Sequence, residues 1–167
     1  MTIVNFNPLE CSDIQVESFK KLVLEADEVD PLGLGNRILQ AFKLIFMYDN
    51  AKHLIGVSAI KRPRKEYKAQ IFNQAQATDI FDDFPYEIGW IVVSEEYRGN
   101  KYSRNLMEAA IEMVGDANVY VTTRLGNIPM EKTNKRYCFK QNGVPYKTTR
   151  VNRDYKLVLY TRKHNIL

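Results

Sequence analysis

Arg98, Lys101 and Arg104 stand three residues apart within Glu96-Tyr97-Arg98-Gly99-Asn100-Lys101-Tyr102-Ser103-Arg104-Asn105, the segment of this chain richest in chemical meaning. It follows the apolar run Tyr86 to Val93. It precedes Leu106, Met107, Ala110, Ile111 and Val114 at helical spacing, with Glu108 and Glu112 opposite and Gly115 where a helix should end. A strand that enters a helix through a short flexible turn leaves the first backbone N–H groups of the helix without internal acceptors, and the positive end of the helix dipole lies behind them. Such a turn binds phosphate. Three cations beside it suit a pyrophosphate. The competing reading is an ordinary strand-to-helix turn with solvated charges.

The elements that must hold this turn follow from patterning. A short strand, Ile3 to Phe6, precedes Pro8, and Ser12-Asp13-Ile14-Gln15 reads as a capping box that opens a helix running to about Val29. Pro31-Leu32-Gly33 stops that helix, and a second short helix is expected over Asn36 to Phe42. Lys43 to Tyr48 and His53 to Ile60 read as strands joined by Asp49-Asn50-Ala51-Lys52, a hairpin signal. Tyr67 to Ala77 has helical composition, and the strand Tyr86 to Val93 then leads into the turn. Beyond the turn helix, a strand at Val119 to Thr123, a helix at Pro129 to Tyr137 and a closing hairpin of Pro145 to Val151 with Tyr155 to Arg162 are expected. That order means an α/β mixed sheet with helices packed against it.

Composition sets the outer limits. The chain has 167 residues, 45% hydrophobic and 26% charged, with 8 Gly and 6 Pro, which excludes a disordered tail or a fibrous rod and fits a single domain over 1–167. No run approaches the roughly 18 apolar residues of a membrane span, and Met1-Thr2-Ile3-Val4-Asn5 has no signal-peptide pattern, so a cytoplasmic protein without membrane attachment is expected. Cys11 and Cys138 lack metal-ligand spacing, and with two His in the chain no metal site is expected. Two lysines against seven acids give residues 1–33 a charge of −5, so the remainder carries +9 of the net +4. A basic body attracts polyanions, either nucleic acid or a phosphate-rich cofactor, although no nucleic-acid motif is present.

Glu96, Tyr97, Arg98 and Gly99, with Ser103 in a small-residue position, make the turn resemble the GNAT superfamily of acetyl-CoA-dependent N-acetyltransferases. That family carries R/Q-x-x-G-x-G/A after its fourth strand. Lys101 stands where the pattern has its middle glycine, so a positive φ there would strain the turn. The family's helix after the fifth strand reads N-x-x-A-x-x-x-Y-x-x-x-G-F, and the same spacing picks out Asn127, Met130, Asn134, Cys138 and Phe139. Thr122-Thr123-Arg124, Gly143-Val144-Pro145-Tyr146 and Leu157-Val158-Leu159-Tyr160 look like a bacterial or phage branch. The resemblance implies a mostly antiparallel twisted sheet of six or seven strands with about four helices. It also implies acetyl-CoA as cofactor.

Carried over residue by residue, the resemblance implies that Ile91, Val92 and Val93 offer backbone groups to the thioester and pantetheine. It gives the phosphates to Arg98, Gly99, Asn100, Lys101, Tyr102, Ser103 and Arg104, and further cofactor contacts to Asn127, Met130 and Asn134. The family's tyrosine commonly protonates the departing thiolate. Here that position is Asn134, and an amide donates a hydrogen bond without giving up a proton. Tyr137, three residues on and on the same helical face, is the substitute donor, against the plainer reading of a tyrosine packed on the sheet. Glu87 is the candidate base: alternation sets it on the side of Gly89 and Ile91 with Trp90 opposite, and family members often hold a carboxylate on this strand. The competing reading is a strand-edge glutamate facing solvent. Cys138 reads as a small core residue.

The leading expectation is therefore acetyl transfer from acetyl-CoA to a primary amine by direct attack, the acceptor being a small molecule or a protein. Two rivals stand beside it. One is a non-catalytic CoA- or partner-binding module, and the other is a toxin-like enzyme that acetylates aminoacyl-tRNA. The resemblance also implies a homodimer paired through exposed strands near the C-terminus.

Overall fold

A computed structural model describes residues 1–164. Among the described residues, seven strands form one sheet in the order β1-β2-β3-β4-β5-β7-β6, accompanied by five α-helices. The chain clusters into two compact units. One holds Met1–Lys61 with Ile88–Met113, and the other holds Arg62–Glu87 with the chain from Val114 on.

In the first unit, β1 (Thr2–Phe6), β2 (Lys43–Tyr48) and β3 (Leu54–Lys61) form an antiparallel meander. Helix α1 (Asp13–Glu25) opens on the expected capping box: the Ser12 side chain accepts from the Gln15 N–H, and the Ser12 N–H donates to Gln15. The helix stops four residues before Val29, and α2 (Leu34–Leu39) begins after Gly33, whose φ of 67° suits a residue without Cβ. Phe19, Leu22 and Val23 of α1 pack with Leu34 and Ile38 of α2 and Phe46 and Val57 of the sheet. Strand β4 (Tyr86–Val93) ends at a 3₁₀ turn, Glu95–Tyr97, and α4 (Tyr102–Val114) buries Leu106, Met107, Ala110 and Val114. Gly56 sits where an added Cβ would lie 3.1 Å from both the Val92 carbonyl oxygen and Leu106 Cδ1. Glycine on β3 therefore lets β4 and α4 approach closely.

In the second unit, α3 (Lys65–Gln74) packs Ile71 and Phe72 with Phe84, Tyr120, Tyr146 and Leu159. Strand β5 (Val119–Arg124) pairs antiparallel with β7 (Lys156–Arg162) over its whole length. The parallel ladder between β4 and β5 consists of Tyr86–Val119 and Glu87–Tyr120. Helix α5 (Ile128–Arg136) starts at Asn127, whose side chain accepts from the Met130 N–H.

Two expectations need correction. Strand β6 (Lys140–Lys147) begins three residues after α5 rather than at Pro145 and ends at Lys147 rather than Val151, and its register with β7 shifts between Asn142 and Tyr146. The shift arises where Val144 turns its N–H to the Ala75 carbonyl oxygen at 2.8 Å. Cys138 is exposed rather than a core residue. Its φ of 63° closes α5: the Cys138 N–H donates to Lys135 and the Phe139 N–H to Asn134, the two bonds of a Schellman motif.

Candidate functional site

The turn between β4 and α4 is built from the strand outward. Tyr97 closes the 3₁₀ turn and donates its hydroxyl to Asp49 Oδ2 at 2.9 Å, while Asp49 also accepts from the His53 N–H at 2.8 Å. The β2–β3 hairpin thereby braces the residue just before Arg98. The Asp49 carboxyl is held below the usual carboxylate range, chiefly by that His53 N–H and further by the Tyr97 hydroxyl; the same hydrogen bond raises the Tyr97 phenol. Arg98 Nε donates to the Val93 carbonyl oxygen at 3.2 Å, and Asn100 Nδ2 donates to the Tyr97 carbonyl oxygen at 3.1 Å.

Gly99 has φ 84° and Lys101 has φ 65°, so left-handed residues alternate with Asn100 between them. The strain expected at Lys101 is present. Among the described residues, the backbone N–H groups of 99–103 have no hydrogen-bond partner, and the ladder of α4 takes up with Arg104 N–H to the Lys101 carbonyl at 2.9 Å. Consecutive free donors at a helix start, with left-handed residues among them, are the kind of arrangement an anion can accept from. Arg98, Lys101 and Arg104 flank it, and no atom lies within 4 Å of the place a Gly99 Cβ would take. The predicted turn residues, Arg98 to Arg104, thus come together in one stretch of the first unit.

Ile91, Val92 and Val93 lie half-buried on β4. Trp90, immediately before them, has φ 51°, which is rare for a bulky residue and interrupts the regular alternation of the strand. Its ring meets Phe19 edge-on at 6.1 Å and lies under the Lys61 ammonium at 5.0 Å. Trp90 and Val92 both pack on the α1 side of the first unit. A cavity of about 550 Å³ adjoins the strand end, lined by Leu22 of α1, its C-cap Ala26, Val92, Val93 and Arg98, with the carboxylates Glu25, Glu95 and Glu96 also in its wall.

The second unit holds Glu87, which is 2% exposed and so is not the solvent-facing glutamate of the competing reading. The Tyr120 hydroxyl donates to Glu87 Oε2 at 3.4 Å. Burial pushes the phenols of Tyr120 and Tyr146 upward, and the Glu87 carboxylate pushes both in the same direction.

The same unit holds Asn127, Met130, Asn134 and Tyr137 on and around α5. Asn134 is fully buried: its Nδ2 donates to Thr123 Oγ1 at 3.0 Å, and its Oδ1 is buried with no partner. Tyr137 is the half-buried C-cap of α5. Sequence reasoning missed the phenols around Glu87, the Thr123 brace on Asn134 and the Asp49–Tyr97 brace. Each joins residues at least 11 positions apart in the chain, and no local spacing announces such a pair.

The "Acetyltransferase (GNAT) family" description matches residues 12–137, and the chain belongs to that family. No protein of curated function matches the sequence. Among solved structures, the chain is similar to Escherichia coli ElaA, with TM-score 0.72 and 18% identity over 97% of this chain and 99% of that one. It is also similar to Arabidopsis thaliana NAA60 in complex with acetyl-CoA, with TM-score 0.69 and 14% identity over 97% and 99%. A third likeness is to the ribosomal-protein-alanine N-acetyltransferase of Brucella melitensis, with TM-score 0.69 and 14% identity over 98% and 99%. Likeness at this level of identity concerns the fold.

Proposed function

We propose that the whole chain acts as one N-acetyltransferase domain that takes acetyl-CoA as cosubstrate and a primary amine as acceptor. The observation that carries this reading is the run of five unpartnered N–H groups at 99–103, with its three flanking cations. A diphosphate bound there accepts several backbone hydrogen bonds and charge-assisted ones from Arg98 and Arg104. Ile91 to Val93 orient the pantetheine through backbone groups. Asn127, Met130 and Asn134, at the start of α5 and along it, are assigned further cofactor contacts.

Bound acetyl-CoA supplies an activated thioester, whose C–S bond breaks as the amide N–C bond forms, the electron pair leaving on sulfur. Glu87 takes the proton that converts the acceptor from ammonium to nucleophilic amine. The second amine proton passes to solvent as the amide forms. We assign proton return at the sulfur to Tyr137, a modest role because thiols are acidic enough to leave near neutral pH.

Thiol release from acetyl-CoA in the presence of a panel of primary amines tests the proposal. Release should depend on an amine. Glu87→Gln should slow it about 100-fold, and Arg98→Ala should raise the KM for acetyl-CoA about tenfold. CoA binding without turnover on any amine contradicts the enzyme and leaves the binding module.

A further inference from the structure

The positive charge of the chain is concentrated in one segment. From Arg124 on, eleven Lys and Arg stand against two acidic side chains, a balance of +9, whereas residues 34–123 hold eleven of each sign. All of that segment belongs to the second unit. Of its two carboxylates, Glu131 is turned to the Gly126 N–H at 2.9 Å. Asn134 of α5 donates to Thr123 Oγ1, so the Thr123 side chain lies on the sheet face that α5 covers. Val158 is the β7 partner of Thr123, and strand alternation puts Lys156 on that same face, with Lys147 of β6 directly opposite it. Both lysines are exposed. The exposed residues of α5 beyond Glu131 are Lys132, Lys135 and Arg136, while Thr133 and Asn134 between them are buried. Among the described residues these five cations form no ion pair.

Like charges directly opposite on neighbouring strands are destabilising, and a carboxylate at either place would be favourable. Pairing of β6 with β7 is therefore no reason for lysine at both 147 and 156. On α5, Lys132 repels Lys135 and Arg136 at i+3 and i+4 in the same way. A ligand with several negative charges on one chain relieves both. The buried centre of a protein–protein interface is poor in Lys. A helix held on a lipid surface inserts an apolar face, whereas α5 turns only cations outward beyond Glu131. Exposed Lys and Arg on adjoining elements are what a phosphodiester backbone is bound by. We propose that the outer face of α5, with Lys147 and Lys156 on the same side of the sheet, is a surface for nucleic acid, held by its phosphodiester backbone. The surface does not depend on the acetyl-transfer reading, since the turn at 98–104 belongs to the first unit.

The test uses the full chain and fluorescence anisotropy, with a single-stranded RNA of about 12 nucleotides and the DNA of the same sequence as probes, at salt from about 50 to 200 mM. Five neutralised phosphates predict a slope of about −3.5 in log affinity against log salt, a loss of roughly 100-fold over that range. The triple substitution Lys135→Gln, Lys147→Gln and Lys156→Gln should make the slope shallower by about 2 and weaken binding at least about tenfold at low salt. Its thermal midpoint should hold or rise, because like-charge repulsion is relieved. The same charge change at the exposed Lys21, Lys52 and Lys65 should leave the slope unchanged and the affinity within about twofold. Tighter binding of RNA assigns the surface to RNA through its 2′-hydroxyls, tighter binding of DNA assigns it to DNA, and equal binding assigns it to the backbone the two share; each of these supports the proposal. No binding by the wild type at low salt overturns it. So does an equal loss in the Lys21, Lys52 and Lys65 variant, or in Arg98→Ala with Arg104→Ala, where the turn would be the holder. Tighter binding, per phosphate, to vesicles of phosphatidylserine and phosphatidylcholine than to either nucleic acid overturns it as well. None of these measurements needs acetyl-CoA, so failure of the transferase reading leaves the test intact.

Discussion

Lys101 carries two properties that pull against each other. Its φ of 65° places an L-residue in the left-handed region, at a cost of roughly 1–2 kcal/mol, yet its ammonium adds a cation beside the free N–H groups. Lys101→Gly should therefore stabilise the protein by about 1 kcal/mol in denaturant unfolding, while acetyl-CoA affinity falls severalfold from loss of the charge. A variant that is less stable, or that binds more tightly, would contradict this division. The turn residues were legible because they are contiguous: spacing, charge and the strand-to-helix transition all sit within one stretch of chain. The burial of Glu87 was not legible. A solvent-facing strand glutamate and a buried one have the same local pattern, and only the phenols of β5 and β6 distinguish them. Cys138 was misread because a small apolar residue after a helix also fits the left-handed closing position, where its side chain is exposed.

At the scale of elements, two connections tie neighbouring segments together, one in each unit. Asp49 joins the β2–β3 hairpin to Tyr97. A carboxyl depressed in the folded state adds stability that is complete above its unfolded value of about 3.9 and is lost as pH falls through its lower folded value. The thermal midpoint of Asp49→Asn should accordingly fall less steeply than that of the wild type as pH drops below about 4, as followed by circular dichroism. Parallel curves would remove Asp49 from the acid branch. Gly143 is the second connection: a Cβ there would lie 1.7 Å from the Ala75 carbonyl oxygen, and its φ is 67°. Gly143→Ala should destabilise by at least about 3 kcal/mol, combining left-handed strain with backbone displacement. A loss under 1 kcal/mol would show that β6 and α3 separate easily. This is also where reading elements from sequence reached its limit. Strands β2 and β4 are dominated by apolar residues and were located to the residue. The first half of β6 is Lys140-Gln141-Asn142-Gly143, polar and at the edge of the sheet, so it carries no strand signal of its own.

For the whole molecule, the uneven charge agrees with the role proposed for the turn, since residues 1–33 are acidic and the remainder carries +9. A net positive surface speeds capture of a polyanionic cofactor. The account as a whole stands on the diphosphate being held by residues 98–104. Calorimetric titration with acetyl-CoA and with S-acetylpantetheine, which lacks the diphosphate, on wild type and Arg98→Ala tests that most directly. The account predicts micromolar acetyl-CoA binding that Arg98→Ala weakens about tenfold, and much weaker S-acetylpantetheine binding that the substitution leaves unchanged. Equal affinity for the two ligands, or the same loss for both on Arg98→Ala, would contradict it.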